Sequence, residues 1–175
     1  MLLVERLDGR RHDRGGFDCG EPSLNHYLRD LAAQHQRDGI ATTHVLFEDD
    51  TPSRILGYYT LAAAQLHLHA LQPVDQRRLP RYPVPAARLA RLAVARHEQG
   101  QGLGESLLQD AVKRCLALRG ELGVRLLVVD ALDERAATFY RLHGFHETAE
   151  RALTLYLPLG HVGSTPAPGT IHARR

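Results

Sequence analysis

The chain has 175 residues, 43% of them hydrophobic and 24% charged, with a formal net charge of +2. That length and balance suit one soluble globular domain with a sizeable core. The apolar runs, such as YYTLAAAQL over 58–66, are too short to cross a bilayer as a helix, so no membrane partner is expected.

The start, MLLVERLDGR, lacks the basic-then-apolar pattern of an export signal, so a cytoplasmic protein is expected, with Cys19 and Cys115 reduced. Residues 2–7 read as a strand and 10–20 as a polar, glycine-broken loop. EPSLNHYLRDLAAQHQ (21–36) predicts a helix: Pro22 suits its first turn, Leu24, Tyr27, Leu28 and Leu31 share one face, and Gly39 closes it. THVLFED (43–49) and RILGYYTLAAAQLHL (54–68) alternate like strands on either side of a DDTPS turn. Residues 68–85 carry four prolines and read as a loop, after which AARLARLAV (86–94) returns to a strand.

The clearest helix covers 102–118. Leu103, Leu107, Leu108, Ala111, Val112, Cys115 and Leu116 form its apolar stripe, and Asp110 with Arg114 is an i,i+4 pair expected on the wet side. VRLLVVDA (124–131) is nearly all apolar, as a strand buried on both faces would be. ERAATFYRLH (134–143) is a short helix with Asp133 at the N-cap and Gly144 at its end, and ALTLYLPL (152–159) is a last strand. A single domain over 1–160 and a mobile Pro/Gly-rich tail over 161–175 are expected. There is no internal repeat. A strand, a glycine turn, a helix and another strand follow in order between Ala87 and Asp130. Such a crossover makes parallel neighbours, so the domain is of the α/β (α+β) class with a mixed sheet.

The glycine turn, HEQGQGLGESLL over 97–108, is where chemistry enters. Glycine permits positive φ and close backbone approach, and the first helical turn offers unpaired N–H groups and a partial positive charge. Together they form a concave anion site suited to phosphate or pyrophosphate. A P-loop would need a lysine and a hydroxyl after the last glycine, where this chain has Glu105-Ser106, and no glycine completes a dinucleotide fingerprint.

Gln99-Gly100-Gln101-Gly102-Leu103-Gly104 resembles the pyrophosphate loop R/Q-x-x-G-x-G/A of the GNAT acetyltransferase superfamily, and the likeness extends over roughly 87–145. The resemblance implies the GNAT fold, a mixed central sheet flanked by helices with a splayed acetyl-CoA cleft. It also implies that Leu92, Ala93 and Val94 pair with the pantetheine arm like an added strand. By the same resemblance Gln99, Gly100, Gln101, Gly102, Leu103, Gly104 and Ser106 hold the pyrophosphate, and Asp133 and Phe139 flank the arm.

FDCGEPSLNHYL, GYYTLA, RLAVARHEQGQGLG and ATFYRLHGF, in that order, look like the TacT-like acetyltransferase toxins of type II toxin–antitoxin modules. That likeness implies acetylation of the α-amine of aminoacyl-tRNA, a block of translation, control by a ribbon-helix-helix antitoxin, and a homodimer. It also implies that Tyr140, in the F-Y-x-x-x-G-F pattern, protonates the departing thiolate. A thiol near ~8.5 and a phenol near ~10 lie close enough for that transfer. No carboxylate stands out as a general base, although Glu48 or Glu98 could serve. The absence suits an α-amine, which is partly neutral at pH 7, better than a lysine amine.

Lys113 is the only lysine, and six arginines (Arg77, Arg78, Arg81, Arg88, Arg91, Arg96) fall between 77 and 97 without an acid. They form either a phosphate-attracting patch or a solvated face balanced by acids elsewhere. If the acceptor is tRNA, Arg77, Arg78 and Arg81 are the candidates to meet its phosphates. The eleven histidines show no metal-ligand spacing beyond His67 and His69 on one strand face, so no metal is expected. Two other functions stay open: a GNAT enzyme for a small amine or a protein N-terminus, and a non-catalytic CoA-binding module.

Overall fold

A computed structural model describes residues 1–160. The elements run β1 (Leu2–Arg6), α1 (Pro22–His26), a π-helical segment (Tyr27–Leu31), α2 (Ala32–Arg37), β2 (Thr42–Glu48), β3 (Gly57–Leu66), α3 (Pro73–Gln76), β4 (Val84–Val94), α4 (Leu103–Leu118), β5 (Leu126–Asp130), α5 (Glu134–Leu142), β6 (His146–Glu147) and β7 (Thr154–Pro158). Short 3₁₀ turns at Leu68–Ala70 and Arg96–Glu98 link them. The expected tail over 161–175 lies outside the described residues.

The seven strands form one sheet in the order β1-β2-β3-β4-β5-β7-β6. All pairs are antiparallel except β4–β5, where the α4 crossover makes the strands parallel as anticipated. The apolar stripe of α4 explains its seat: Leu107, Leu108, Ala111 and Cys115 are buried in the principal core with Leu127, Val129 and Tyr140. The helix 21–36 is a finding in itself. It is not continuous α-helix but is interrupted at Tyr27–Leu31, where the Ala32 N–H reaches back five residues to the Tyr27 carbonyl. The Leu24 carbonyl accepts a hydrogen bond from the Tyr58 hydroxyl at 2.7 Å, which ties this helix to β3.

The Asp110–Arg114 pair forms at 2.8 Å, but not on a wet face. Tyr59 donates to Asp110 at 2.5 Å and Arg114 reaches the Val4 carbonyl at 3.2 Å. The pair therefore bridges α4 to the sheet, because Asp110 follows the apolar stripe closely enough to meet β3. The short strand β6 and helix α3 were not legible. Each is too brief to carry a period.

Candidate active site

The sheet opens in its middle. β4 and β5 pair from Ala86↔Leu126 only as far as Leu89↔Val129, yet β4 runs on to Val94. Its register against β3 slips between Thr60 and Leu61, leaving Ala90 as an extra residue. Such a bulge bends a strand and sharpens its twist, and here it turns β4 away from β5. The result is a cleft of about 500 Å³, lined on one side by Leu89–Val94 and on the other by Val129, Asp130, Leu132, Asp133, Ala136, Phe139 and Tyr140. Residues Ala90–Val94 have β3 on one side and open space on the other, so half their backbone groups face an extended ligand.

The glycine turn lies at the C-terminal end of this opened strand. Gly100 and Gly102 take φ of +80° and +81°, and nothing lies within 4 Å of where a Cβ would stand. Gly102 is the N-cap of α4, with no side chain satisfying the first-turn N–H groups. Gly104 does something else. It has ordinary φ, and a Cβ there would touch Val94 and Phe139 at 3.8 and 3.9 Å.

Gln99 lines the cleft, but its amide is committed, donating to the Cys19 carbonyl at 2.9 Å and the Val94 carbonyl at 3.0 Å. It holds the turn against the 10–20 loop instead of presenting a free donor. Two other residues of the hexapeptide and its flank have side chains with partners in the protein. The Leu103 side chain belongs to the core, and the Ser106 hydroxyl donates back to the Gly102 carbonyl at 3.2 Å. Gln101 is exposed on the turn.

Tyr140 is 6% exposed and lines the cleft with Phe139, whose ring meets it edge-on. Among the described residues nothing hydrogen-bonds its hydroxyl, and burial holds that hydroxyl well above the usual phenol range. Asp133 caps α5 by accepting the Ala136 N–H at 2.8 Å, as its position predicted. One carboxylate oxygen is thereby committed to the helix, while the residue stays exposed at the cleft.

The arginines divide. Arg88 binds Asp130, Arg96 lies 3.5 Å from Asp18, and Arg91 stacks 3.6 Å over the Tyr27 ring at the cleft wall. Arg77, Arg78 and Arg81 are exposed between α3 and β4, ion-pair with no carboxylate among the described residues, and do not line the cleft. They precede Val84, whereas the cleft begins at Leu89, about 16 Å further along the strand. Glu48 and Glu98 do not line it either, and Glu98 is held by Arg54.

Sequence reasoning missed one wall altogether. Cys19, Gly20, Glu21 and Leu24 line the cleft because Gln99 ties their loop to the glycine turn. FDCGEP marked the segment but not its place. His67 and His69 stack on each other, His69 pairs with Glu150, and no metal-holding cluster occurs among the described residues. Cys115 is core, its thiol pushed up to about 11 by burial.

The family model described as "Acetyltransferase (GNAT) domain" matches residues 41–147. The chain belongs to the GNAT acetyltransferase family. The expected fold and enzyme class are thereby met. The chain is 41% identical over 128 residues, 73% of its length and 75% of the relative's, to a tRNA-acetylating toxin of Mycobacterium tuberculosis. It superposes on AtaT complexed with acetyl-methionyl-tRNAfMet with a TM-score of 0.84 and 32% identity, covering 90% of this chain and 95% of that one. A tyrosine-to-phenylalanine mutant of AtaT bound to the C-terminus of the antitoxin AtaR and acetyl-CoA gives a TM-score of 0.76 at 30% identity, covering 90% and 93%. No helix among the described residues of this GNAT chain is long and apolar enough to cross a membrane.

The two classes of glycine predict different outcomes. Gly102→Ala places an L side chain at φ +81°, which costs about 1–2 kcal/mol and puts a methyl group in the anion turn. Its affinity for acetyl-CoA should fall about tenfold by titration calorimetry. Gly104→Ala meets only ordinary contacts and gains helix propensity of up to about 1 kcal/mol, so its melting temperature should hold or rise. Equal behaviour of the two variants would overturn this division of roles.

Proposed function

We propose that this enzyme transfers the acetyl group of acetyl-CoA to the α-amine of aminoacyl-tRNA, and that it acts as a toxin by stopping translation. The observation that carries the reading is the parted β4–β5 edge, which ends on a donor-rich glycine turn and faces a buried tyrosine with an uncommitted hydroxyl. The names of its relatives support the choice of acceptor.

Acetyl-CoA supplies the acetyl group as a thioester. In this reading Leu92, Ala93 and Val94 present the backbone edge that orients the pantetheine arm. The N–H groups around Gly100–Gly104 hold the pyrophosphate, and Gln99 keeps that turn in place. Phe139 packs beside the arm. Tyr140 holds its proton until the C–S bond breaks, then gives it to the sulfur. The carboxylates at the cleft do not supply a strong base: Asp133 caps a helix, Asp130 binds Arg88, and Glu21 is exposed. An acceptor amine of pKa ~7.7–8.0 is neutral often enough to react without one, whereas a lysine at ~10.4 is not. The reading includes a ribbon-helix-helix antitoxin, a homodimer and a cytoplasmic setting. In it Arg77, Arg78 and Arg81 meet acceptor phosphates away from the cleft.

The test uses purified protein and labelled acetyl-CoA with charged tRNA, uncharged tRNA and a panel of free amines. Label should appear on charged tRNA alone, and neutralising the three arginines should raise the KM for charged tRNA but not for acetyl-CoA. Label on free amines but not on tRNA would overturn the acceptor and leave the cleft intact.

A further inference from the structure

A second concave site lies outside the cleft. The loop over 9–15, with Ser53 and Arg29 of the π-helical segment, encloses about 370 Å³. Four guanidinium groups line it, from Arg10, Arg11, Arg14 and Arg29, against one carboxylate, Asp13. Arg11 is paired with Glu5 and Arg29 with Asp30. Asp13 accepts the Gly15 N–H at 3.0 Å. Arg10 and Arg14 ion-pair with no carboxylate among the described residues, and Arg14 donates only to the Arg29 carbonyl at 3.4 Å, so the depression carries an excess of positive charge.

His12 supplies the independent observation. It lines the same site, is 3% exposed, and lies against the Phe47 ring at 5.0 Å. Its Nδ1 accepts the Asp8 N–H at 3.1 Å, so that nitrogen carries no proton. Burial, with Arg11 second, lowers its pKa and keeps the ring neutral. The remaining proton must then sit on Nε2, which is buried and has no hydrogen-bond partner. A buried donor without an acceptor is rare and costly in a folded protein. The acceptor that fits here is anionic and many-oxygened, because guanidinium forks match phosphate oxygens and the neutral imidazole adds a directed N–H.

We propose that this depression is a phosphate-group site, with Arg10 and Arg14 supplying the charge and His12 Nε2–H a fixed hydrogen bond. Resting on the function proposed above, the phosphate is one of the acceptor RNA's backbone. The placement suits that use. The loop runs directly on to Cys19 and Gly20 at the cleft wall, and five residues of chain from Arg14 to Cys19 span at most about 18 Å. The site is thus within reach of an RNA whose end enters the cleft.

The experiment has two arms on the full chain. In the first, the Nε2–H resonance of His12 is followed in histidine-labelled protein during titration with inorganic phosphate, with chloride at matched ionic strength as control. A saturable shift with phosphate alone, lost in the Arg10→Ala/Arg14→Ala variant, is expected. No saturable shift overturns the site. In the second arm that variant, whose changes are near the surface, is assayed on charged tRNA. Its KM should rise roughly tenfold at low salt, with a shallower salt dependence and unchanged kcat and acetyl-CoA KM. A phosphate shift with an unchanged tRNA KM would keep the phosphate site and overturn RNA as its source. Failure of wild type to acetylate charged tRNA would overturn the proposed acceptor, while the first arm still decides the site.

Discussion

Replacing Tyr140 with phenylalanine lowers kcat by about a hundredfold or more and leaves the affinity for acetyl-CoA within about twofold. General-acid catalysis of this kind contributes ~10²–10⁴ in rate. Among the described residues the hydroxyl has no protein partner, so its removal strands no buried group and should shift stability by less than about 1 kcal/mol. Burial raises the phenol, which keeps the hydroxyl protonated. The same burial raises a departing thiolate in the cleft, as it raises Cys115 to about 11, so donor and acceptor move together. The folded pKa is displaced upward, so loss of the acid form should begin above the ordinary phenol value of ~10. The alkaline limb of kcat should lie there too. Single-turnover kinetics on Tyr140→Phe decide the matter, and a rate within threefold of wild type would remove Tyr140 from the chemistry.

The largest effect on stability is expected at Gly57, a residue that gave no sequence signal. It opens β3 opposite Val94, and a Cβ there would lie 2.8 Å from Leu107 Cδ1 and 2.9 Å from the Ala93 carbonyl oxygen. Leu107 is fully buried in the core and the carbonyl is backbone, so neither can yield cheaply. Gly57→Ala should cost about 2–3 kcal/mol, or roughly 5–10 °C in melting temperature. Because the displaced strand is the wall of the cleft, the KM for acetyl-CoA should rise as well. A melt within 2 °C of wild type would show that the strands move apart freely.

The sequence was most informative where one periodicity persisted. The α4 stripe, the parallel crossover and the Asp133 cap all followed from residues that repeat or punctuate over many positions. The hexapeptide at 99–104 located the turn correctly, yet its residues could not be sorted by role. Whether Gln99 points at a ligand or at the Cys19 carbonyl depends on a loop eighty residues earlier in the chain. The bulge at Ala90, the π-helical segment and the close approach at Gly57 share that character. Each arises from a fit between distant segments and leaves no local pattern.

The parted strand has one further consequence. Exposed strand edges invite pairing with another molecule, and most sheets shield them at their margins. Here the unpaired stretch from Ala90 to Val94 is internal, walled by Leu24 on one side and Phe139 and Tyr140 on the other. Flanking walls of this kind keep a second sheet from laying itself along the open edge, so the same enclosure that shapes the cleft guards the protein against edge-to-edge aggregation.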